Sequence, residues 1–244
     1  MEIFDDLAAE QERLEAILAG LTGAQWLSPS AAAGWTIADT VLHLAQTEEG
    51  VVATATAAGS GRRDWREFGS SVDGAMAAMV EAERTTPAEI FQRWRTARRQ
   101  ALAALRQADP KQPLRWVAAS LKPPTLATTR LAEHWAHGLD IAGPLGADFP
   151  DTARLRHIAW LGHSTLPYAF TLAGQEPPTV YCELTGPDGD VWRYGPADAP
   201  SRITGSAGAF CRVGAQRLAA EESGLATEGP HAMAALKALR NYAQ

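Results

Sequence analysis

Residues 130–140, RLAEHWAHGLD, place a carboxylate and an imidazole four positions apart on a predicted helix. Side chains at positions i and i+4 lie one above the other on the same helical face, so Glu133 and His137 can converge on one point. Residues 34–44, GWTIADTVLHL, carry a further histidine, His43, on the inner side of another amphipathic helix. Two helices that supply His, Glu and His indicate a three-ligand metal site with an open fourth position, which is typical of catalytic zinc.

Two neighbouring residues leave alternatives open at this predicted site. His134 lies three residues before His137 and is an alternative ligand in place of Glu133. The two side chains lie about 100° apart around the helix, and spacing alone leaves both as candidates; the family resemblance described below favours Glu133. Asp140 is placed to accept the free ring N–H of a ligand histidine and so fix its tautomer, or else it is a surface carboxylate that ends the helix. The alternative to a metal site is that Glu133 and His137 form an ordinary helix-stabilising contact.

Composition excludes several classes of protein. The chain has 244 residues, of which 46% are hydrophobic, enough to bury a substantial core. Its formal net charge of -6, with no block of five or more consecutive basic residues, argues against a nucleic acid or an acidic membrane as the main partner. The sequence shows neither a signal-peptide pattern nor a long apolar run. Cys182 and Cys211 have no zinc or redox spacing, which predicts reduced thiols in a cytoplasmic protein.

Helical spacing dominates the first 145 residues. The predicted helices span about 3–20, 37–57, 72–83 and 87–107, followed by the helix that carries Glu133 and His137. Thr36 with Asp39 forms a capping-box pattern, and 86–89 reads as an N-cap hydroxyl, a proline and a glutamate. The arginines at positions 93, 95, 98 and 99 are predicted to form a solvated helix face. Four long helices joined by loops predict a bundle, a fold that commonly builds metal sites from inward-facing side chains.

The pattern changes after about residue 147. A helix over 154–172 is followed by β-prone segments at 179–185 and 191–194 and a short strand at 202–204. A helix over about 206–220, a strand at 224–229 and a last helix from about 231 complete this part. The sequence therefore predicts a mainly α protein with an α+β part: a four-helix bundle over 1–147 and a small α+β domain over 148–244.

The motifs resemble those of a known family. Residues 34–39 leading to His43, with Glu133-x-x-x-His137-x-x-Asp140 about 90 residues later, resemble the metal-binding domain of mycothiol-dependent maleylpyruvate isomerases, a branch of the DinB/YfiT-like metalloenzymes. The tail, including its late 229–232 turn, resembles the sterol-carrier-protein-like domain that follows in many members. The resemblance implies a DinB-like bundle in which His43, Glu133 and His137 hold Zn²⁺ or another divalent metal, with mycothiol or a similar thiol as cosubstrate.

The resemblance also implies a substrate-binding arginine in the small domain. In such relatives an arginine reaches towards the metal and holds a substrate carboxylate, for which a bidentate guanidinium is well shaped. Arg217 is our best candidate, although the Gly-Arg pairing that we would look for appears here as Gln216-Arg217. Arg212 and Arg202 are the alternatives.

Several functions are compatible with this site. Two imidazoles and one carboxylate leave a bound Zn²⁺ formally at +1, which is enough to lower the pKa of a coordinated thiol or water. A thiolate can add to an electron-poor double bond, allow rotation and be expelled, as in an isomerase, or remain on the product, as in a transferase. The expected partners are a small, carboxylated electrophile and a low-molecular-weight thiol. The alternatives are a Lewis-acid isomerase, cyclase or hydrolase of specialised metabolism without a thiol, and a non-catalytic metal-binding or stress-response module.

Overall fold

The protein folds as a helical part followed by a mixed α+β part, which confirms the predicted fold class. The computed structural model describes residues 2–56, 65–117 and 119–241. The chain separates into two compact units, one ending at Phe149 and the other beginning at Pro150. In the described part of the chain, no helix combines the length and the apolar character needed to cross a membrane.

The first unit is built from helices and one short strand pair. Its helices are α1 (Ile3–Ala19), α2 (Gly23–Trp26), α3 (Ile37–Ala55), α4 (Val72–Ala82), α5 (Pro87–Gln107) and α6 (Pro123–Leu145). Strands β1 (Leu114–Arg115) and β2 (Ser120–Leu121) pair antiparallel. The sequence analysis predicted the long helices but neither α2 nor the strand pair. The predicted end of the second long helix, Ala57, lies outside the described residues.

Local hydrogen bonds determine where two of the long helices begin. The Thr36 hydroxyl accepts a hydrogen bond from the Asp39 amide at 3.1 Å, and the Asp39 carboxylate accepts one from the Thr36 amide at 3.0 Å. Thr86 and Glu89 form the same capping box at the start of α5, with Pro87 as the first helical residue. Each box satisfies backbone N–H groups that have no partner inside the helix. The start of α3 therefore determines which turn carries His43.

Helices α3 and α6 contact each other less extensively than each of them contacts another long helix. The most extensive helix pairs are α3 with α5 and α1 with α6, whereas α3 and α6 share a smaller contact. Members of the buried apolar core come from all of these helices and include Leu14, Leu18, Trp26, Ile37, Val41, Leu42, Val80, Ile90, Trp94 and Ile141. Each of the two helices that carry the candidate ligands is thus held mainly by a different partner.

The prediction of a solvated arginine face on α5 was wrong for three of its four arginines, whereas Arg99 is exposed. Arg93 donates to Glu49 of α3 at 2.6 and 2.7 Å. Arg95 pairs with Glu15 of α1 at 2.8 Å, and Arg98, which is buried, pairs with the same glutamate. The glutamates come from helices distant in sequence, so the spacing of the arginines alone could not reveal them.

The second unit combines three helices with a four-stranded sheet. Its elements are α7 (Leu155–Leu172), β3 (Val180–Thr185), β4 (Val191–Tyr194), β5 (Ser201–Ser206), α8 (Ala207–Gly214), β6 (Ala226–Glu228) and α9 (Ala232–Ala238). The strand order is β4-β3-β5-β6, in which β3 and β5 are parallel and the other neighbours antiparallel. Each of the three helices contacts the sheet, and they also contact one another.

Helix α8 ends earlier than predicted, because the chain closes it with a left-handed residue. Gln216 has a φ of 60°, its amide donates to the carbonyl of Val213, and the Arg217 amide donates to the carbonyl of Arg212 at 2.8 Å. These two hydrogen bonds form a Schellman motif, in which the left-handed position is usually a glycine. A glutamine there carries no stop signal, and the apolar pattern therefore predicted a helix that runs too far.

Candidate metal centre

Helices α3 and α6 bring His43, Glu133 and His137 together. One donor atom from each residue lies within 4.8 Å of the others. Glu133 Oε2 is 3.5 Å from Nε2 of His43 and 3.5 Å from Nε2 of His137. Bonds of about 2.0–2.1 Å to one tetrahedral Zn²⁺ separate ligand atoms by about 3.3 Å, whereas N–H···O hydrogen bonds are usually about 2.7–3.2 Å long. The spacing therefore fits ligands of one shared cation better than a direct hydrogen bond.

The orientation of His137 is determined by a carboxylate one turn further along α6. Asp140 Oδ2 lies 3.0 Å from His137 Nδ1 and accepts its N–H. Asp140 is only 1% exposed, so it does not form the surface carboxylate that was the alternative. A histidine that donates from Nδ1 presents the lone pair of Nε2, which here faces Glu133. By contrast, Nδ1 of His43 has no hydrogen-bond partner among the described residues.

His134 takes no part in this cluster. It is fully buried, its Nδ1 donates to the carbonyl of Arg130 at 2.8 Å, and its Nε2 accepts from the indole N–H of Trp94 at 3.2 Å. Burial, together with the charge of Arg130, lowers the pKa of His134 to about 3. With both ring nitrogens engaged on another side of α6, His134 has no lone pair to offer beside Glu133.

An indole ring covers the two histidines of the cluster. The ring centroid of Trp35 lies 5.0 Å from that of His43 and 6.2 Å from that of His137. The two imidazoles are 5.1 Å apart and nearly perpendicular. Trp35 belongs to the 34–44 motif and directly precedes the N-cap of the helix that carries His43, but the sequence analysis assigned it no contact with the ligands. The indole thus packs against both imidazoles.

The electrostatic surroundings favour the protonation states that a cation requires of Glu133 and His43. Burial lowers the pKa of His43, which keeps its imidazole neutral. Burial acts to raise the pKa of Glu133, but the neighbouring imidazoles of His137 and His43 and the charge of Arg130 hold it well below its usual range. For His137, burial acts to lower the pKa, but Asp140 and Glu133 raise it overall. The cluster thus presents an ionised carboxylate and at least one neutral imidazole.

A buried ion pair lies close to the cluster. Arg130, one turn before Glu133 on α6, donates from Nε to Glu48 Oε1 at 2.8 Å, and both side chains are almost fully buried. The sequence analysis did not include either residue in the site. The available signal was a pair of charged residues on the inward faces of the two helices that carry the predicted ligands, because such residues are seldom buried without a partner.

The arginines of the second unit have different local partners. Arg212 is engaged with Asp151 through two hydrogen bonds of 2.7 and 3.0 Å. Arg202 donates to the carbonyl of Ala197 at 2.5 Å and lies over an aromatic ring. Arg217 is exposed and donates from Nη1 to the carbonyl of Ala215 at 2.6 Å. The assignment of Arg217 to substrate binding stays a prediction.

Comparisons with known proteins agree with the motif analysis. Residues 7–142 match the family described as the mycothiol maleylpyruvate isomerase N-terminal domain, and this interval contains all three residues of the cluster. Two uncharacterized proteins, from two strains of Mycobacterium tuberculosis, are 38% identical to this chain over 218 residues, which cover 88% of this chain and 84% of each relative.

Solved structures show a similar fold. The crystal structure of a mycothiol-dependent maleylpyruvate isomerase matches with a TM-score of 0.62 and 16% identity, covering 94% of this chain and 95% of that enzyme. A mutant of a mycothiol-dependent maleylpyruvate isomerase matches with a TM-score of 0.59 and 15% identity, over the same fractions. At these identities the likeness is one of fold.

Proposed function

The chain belongs to the mycothiol maleylpyruvate isomerase family, and we propose from this that it is a metal-dependent enzyme that uses a low-molecular-weight thiol such as mycothiol. Its substrate is a small, carboxylated electrophile with a polarised double bond, which it isomerises. The observation that carries the proposal is the convergence of His43, Glu133 and His137 at the spacing of ligands around one divalent cation. The family points to an isomerase that uses a thiol, and the cluster supplies a place for the activation of that thiol.

Each residue of the site has a defined task in this proposal. His43, Glu133 and His137 hold the cation, for which Zn²⁺ suits the nitrogen and oxygen donor set. When bound by these residues, a zinc ion would lower the pKa of a nearby thiol, so that the thiolate would be available at neutral pH. Asp140 keeps His137 in the tautomer that presents Nε2. Trp35 packs against both imidazoles.

The thiol chemistry follows from the nature of the substrate. The thiolate forms a carbon–sulfur bond with one end of the polarised double bond, and the π electrons move onto the conjugated carbonyl as an enolate. The former double bond is now a carbon–carbon single bond and can rotate. Collapse of the enolate then expels the thiolate and restores the double bond in the other geometry. A guanidinium suits the substrate carboxylate, and we assign this task to Arg217, with Arg202 as the alternative.

Metal analysis and a cobalt-substituted sample test this function. Purified protein should contain about one equivalent of a divalent metal, and thiol added to the Co²⁺ form should produce a thiolate-to-cobalt charge-transfer band. His43→Ala and His137→Ala should lose the metal, whereas His231→Ala, which changes an exposed histidine of the second unit, should retain it.

The outcomes separate the candidate functions. Protein that contains no metal and cannot be loaded with any would exclude the metal site. Full metal loading without a charge-transfer band would count against the thiol step and favour a Lewis-acid reaction without a thiol. Metal loading and a band without turnover of conjugated carboxylic acids would favour a binding module.

A further inference from the structure

A chain of buried polar contacts joins the two ligand-bearing helices. Arg130 of α6 donates from Nε to Glu48 of α3 at 2.8 Å and from Nη2 to the hydroxyl of Thr47 at 2.7 Å. The Thr47 hydroxyl in turn donates to the backbone carbonyl of His43 at 3.0 Å. The guanidinium on α6 is thus connected by hydrogen bonds to the helical turn that carries His43.

This ion pair is poorly suited to a purely stabilising role. Its two side chains are 2% and 0% exposed, so both charges have lost their contact with water. Glu48 Oε2 has no hydrogen-bond partner among the described residues. Buried ion pairs repay the loss of hydration only when their geometry and remaining hydrogen bonds are excellent, and replacing them by apolar residues is often neutral or stabilising. A structural reason other than stability should therefore account for Arg130 and Glu48.

The position of the pair suggests that reason. His43 belongs to α3, whereas Glu133 and His137 belong to α6, and these two helices share a smaller contact than the pairs α3–α5 and α1–α6. Direct packing between α3 and α6 therefore constrains their register less than the packing within those other two pairs does. Arg130 lies one turn before Glu133, and Glu48 lies little more than one turn after His43.

We propose that Arg130 and Glu48 form a positioning clamp that holds α3 and α6 in the register at which His43, Glu133 and His137 can bind one cation. The proposal rests on the metal-dependent function proposed above. The clamp acts through geometry, because the planar guanidinium reaches two acceptors on α3 at once, which an ammonium group cannot do in the same way.

A double variant separates positioning from stabilisation. Arg130→Met combined with Glu48→Met removes one charge of each sign, so the net charge near the site does not change. We expect the double variant to fold, with a melting temperature equal to or above that of the wild type. Its dissociation constant for Zn²⁺, measured by competition with a chelating dye, should rise about 10–100-fold, and the d–d absorption of its Co²⁺ form should change.

A neighbouring ion pair provides the matched control. Arg93 and Glu49 join α5 to α3 at the residue adjacent to Glu48, but they do not join the two ligand helices. Arg93→Met combined with Glu49→Met should leave the dissociation constant for Zn²⁺ within about twofold of the wild type. An equal loss of affinity in this control would overturn the clamp, because any charge pair on α3 would then have the same effect.

The remaining outcomes also decide the question. A folded Arg130→Met/Glu48→Met variant with wild-type affinity and wild-type cobalt spectrum would overturn the proposal. If that variant does not fold, Arg130→Lys keeps the charge opposite Glu48 but loses the two-point contact, and its dissociation constant should rise about tenfold. Unchanged affinity in Arg130→Lys would then overturn it. Wild-type protein that binds no metal would contradict the proposed function itself, which is a distinct result.

Discussion

Replacement of Gly138 by alanine should destabilise the protein, although glycine in the middle of a helix is normally the less stable choice. Gly138 follows His137 in α6 and is buried. A Cβ built on it would lie 2.3 Å from Cζ of Phe149 and 2.8 Å from a second ring carbon. Optimal carbon–carbon contacts are about 3.5–4.0 Å long, so the ring would have to retreat by about 1 Å or more.

The expected magnitude follows from two opposing effects. Alanine is favoured over glycine inside a helix by about 1 kcal/mol. Overpacking a filled site costs about 1–3 kcal/mol. The ring of Phe149 also lies under the guanidinium of Arg13, whose Cζ is 3.5 Å from the ring centroid, so moving the ring disturbs that cation–π contact. We therefore expect Gly138→Ala to lower the free energy of unfolding by up to about 2 kcal/mol.

Gly143→Ala in the same helix is the matched control. Nothing lies within 4 Å of a Cβ at this position, so only the helix-propensity gain remains, and the variant should be as stable as the wild type or up to about 1 kcal/mol more stable. Thermal unfolding followed by far-ultraviolet circular dichroism compares the variants, with a shift of about 2–4 °C per kcal/mol for a chain of this size. Equal stabilisation by both alanines would refute the close approach of Phe149 to Gly138.

Three further predictions concern the two units separately. Trp94→Phe leaves a buried imidazole nitrogen without its donor and should lower the stability to urea by about 1–3 kcal/mol; an unchanged midpoint would contradict the hydrogen bond. Burial acts to raise the pKa of Asp39, but its hydrogen bonds, chiefly from Arg84, lower it overall. The contribution of ionised Asp39 to the free energy of unfolding is therefore complete above the unfolded-state pKa and disappears as the pH falls through the folded-state pKa. The urea midpoints of wild type and Asp39→Asn should therefore converge in acid, and a gap independent of pH would disprove this. Burial raises the pKa of Cys182 to about 12 and also raises that of Cys211, so neither thiol should react rapidly with a thiol reagent until the protein unfolds. Rapid labelling of native protein would show that these side chains are accessible.

Local sequence patterns predicted the elements whose boundaries depend on neighbouring residues. Helix α5 spans Pro87–Gln107, as its N-terminal motif and apolar spacing indicate, and α3 begins at Ile37, directly after the predicted cap. Helix α8 was predicted too long, because Gln216 occupies a left-handed position that glycine usually marks. The sterol-carrier-like character of the second unit and the role of Arg217 stay predictions.

The environment of charged and titratable side chains depended on contacts that spacing does not encode. The arginine-rich face of α5 was predicted to be solvated, yet Arg93 and Arg98 find glutamates on other helices. His134 remained open as a ligand until its two ring nitrogens were seen to bind Trp94 and a backbone carbonyl. Apart from that carbonyl, which belongs to Arg130, these partners lie 40 or more residues away along the chain, so no short motif records the pairing.

The sequence by itself determined the helical character of the first unit and the placement of Glu133 and His137 on one helical face, because both follow from a periodicity within a few residues. The sequence motifs and the family resemblance predicted that His43 meets them, and the tertiary structure shows this contact across 90 residues. Only the tertiary structure decided that Arg130 joins Glu48 across 82 residues. The physical reason is that the register between two helices depends on the packing of the whole unit and on the buried charges between them. The side-chain pattern along one helix reveals neither its register against a second helix nor the partners of its buried charges.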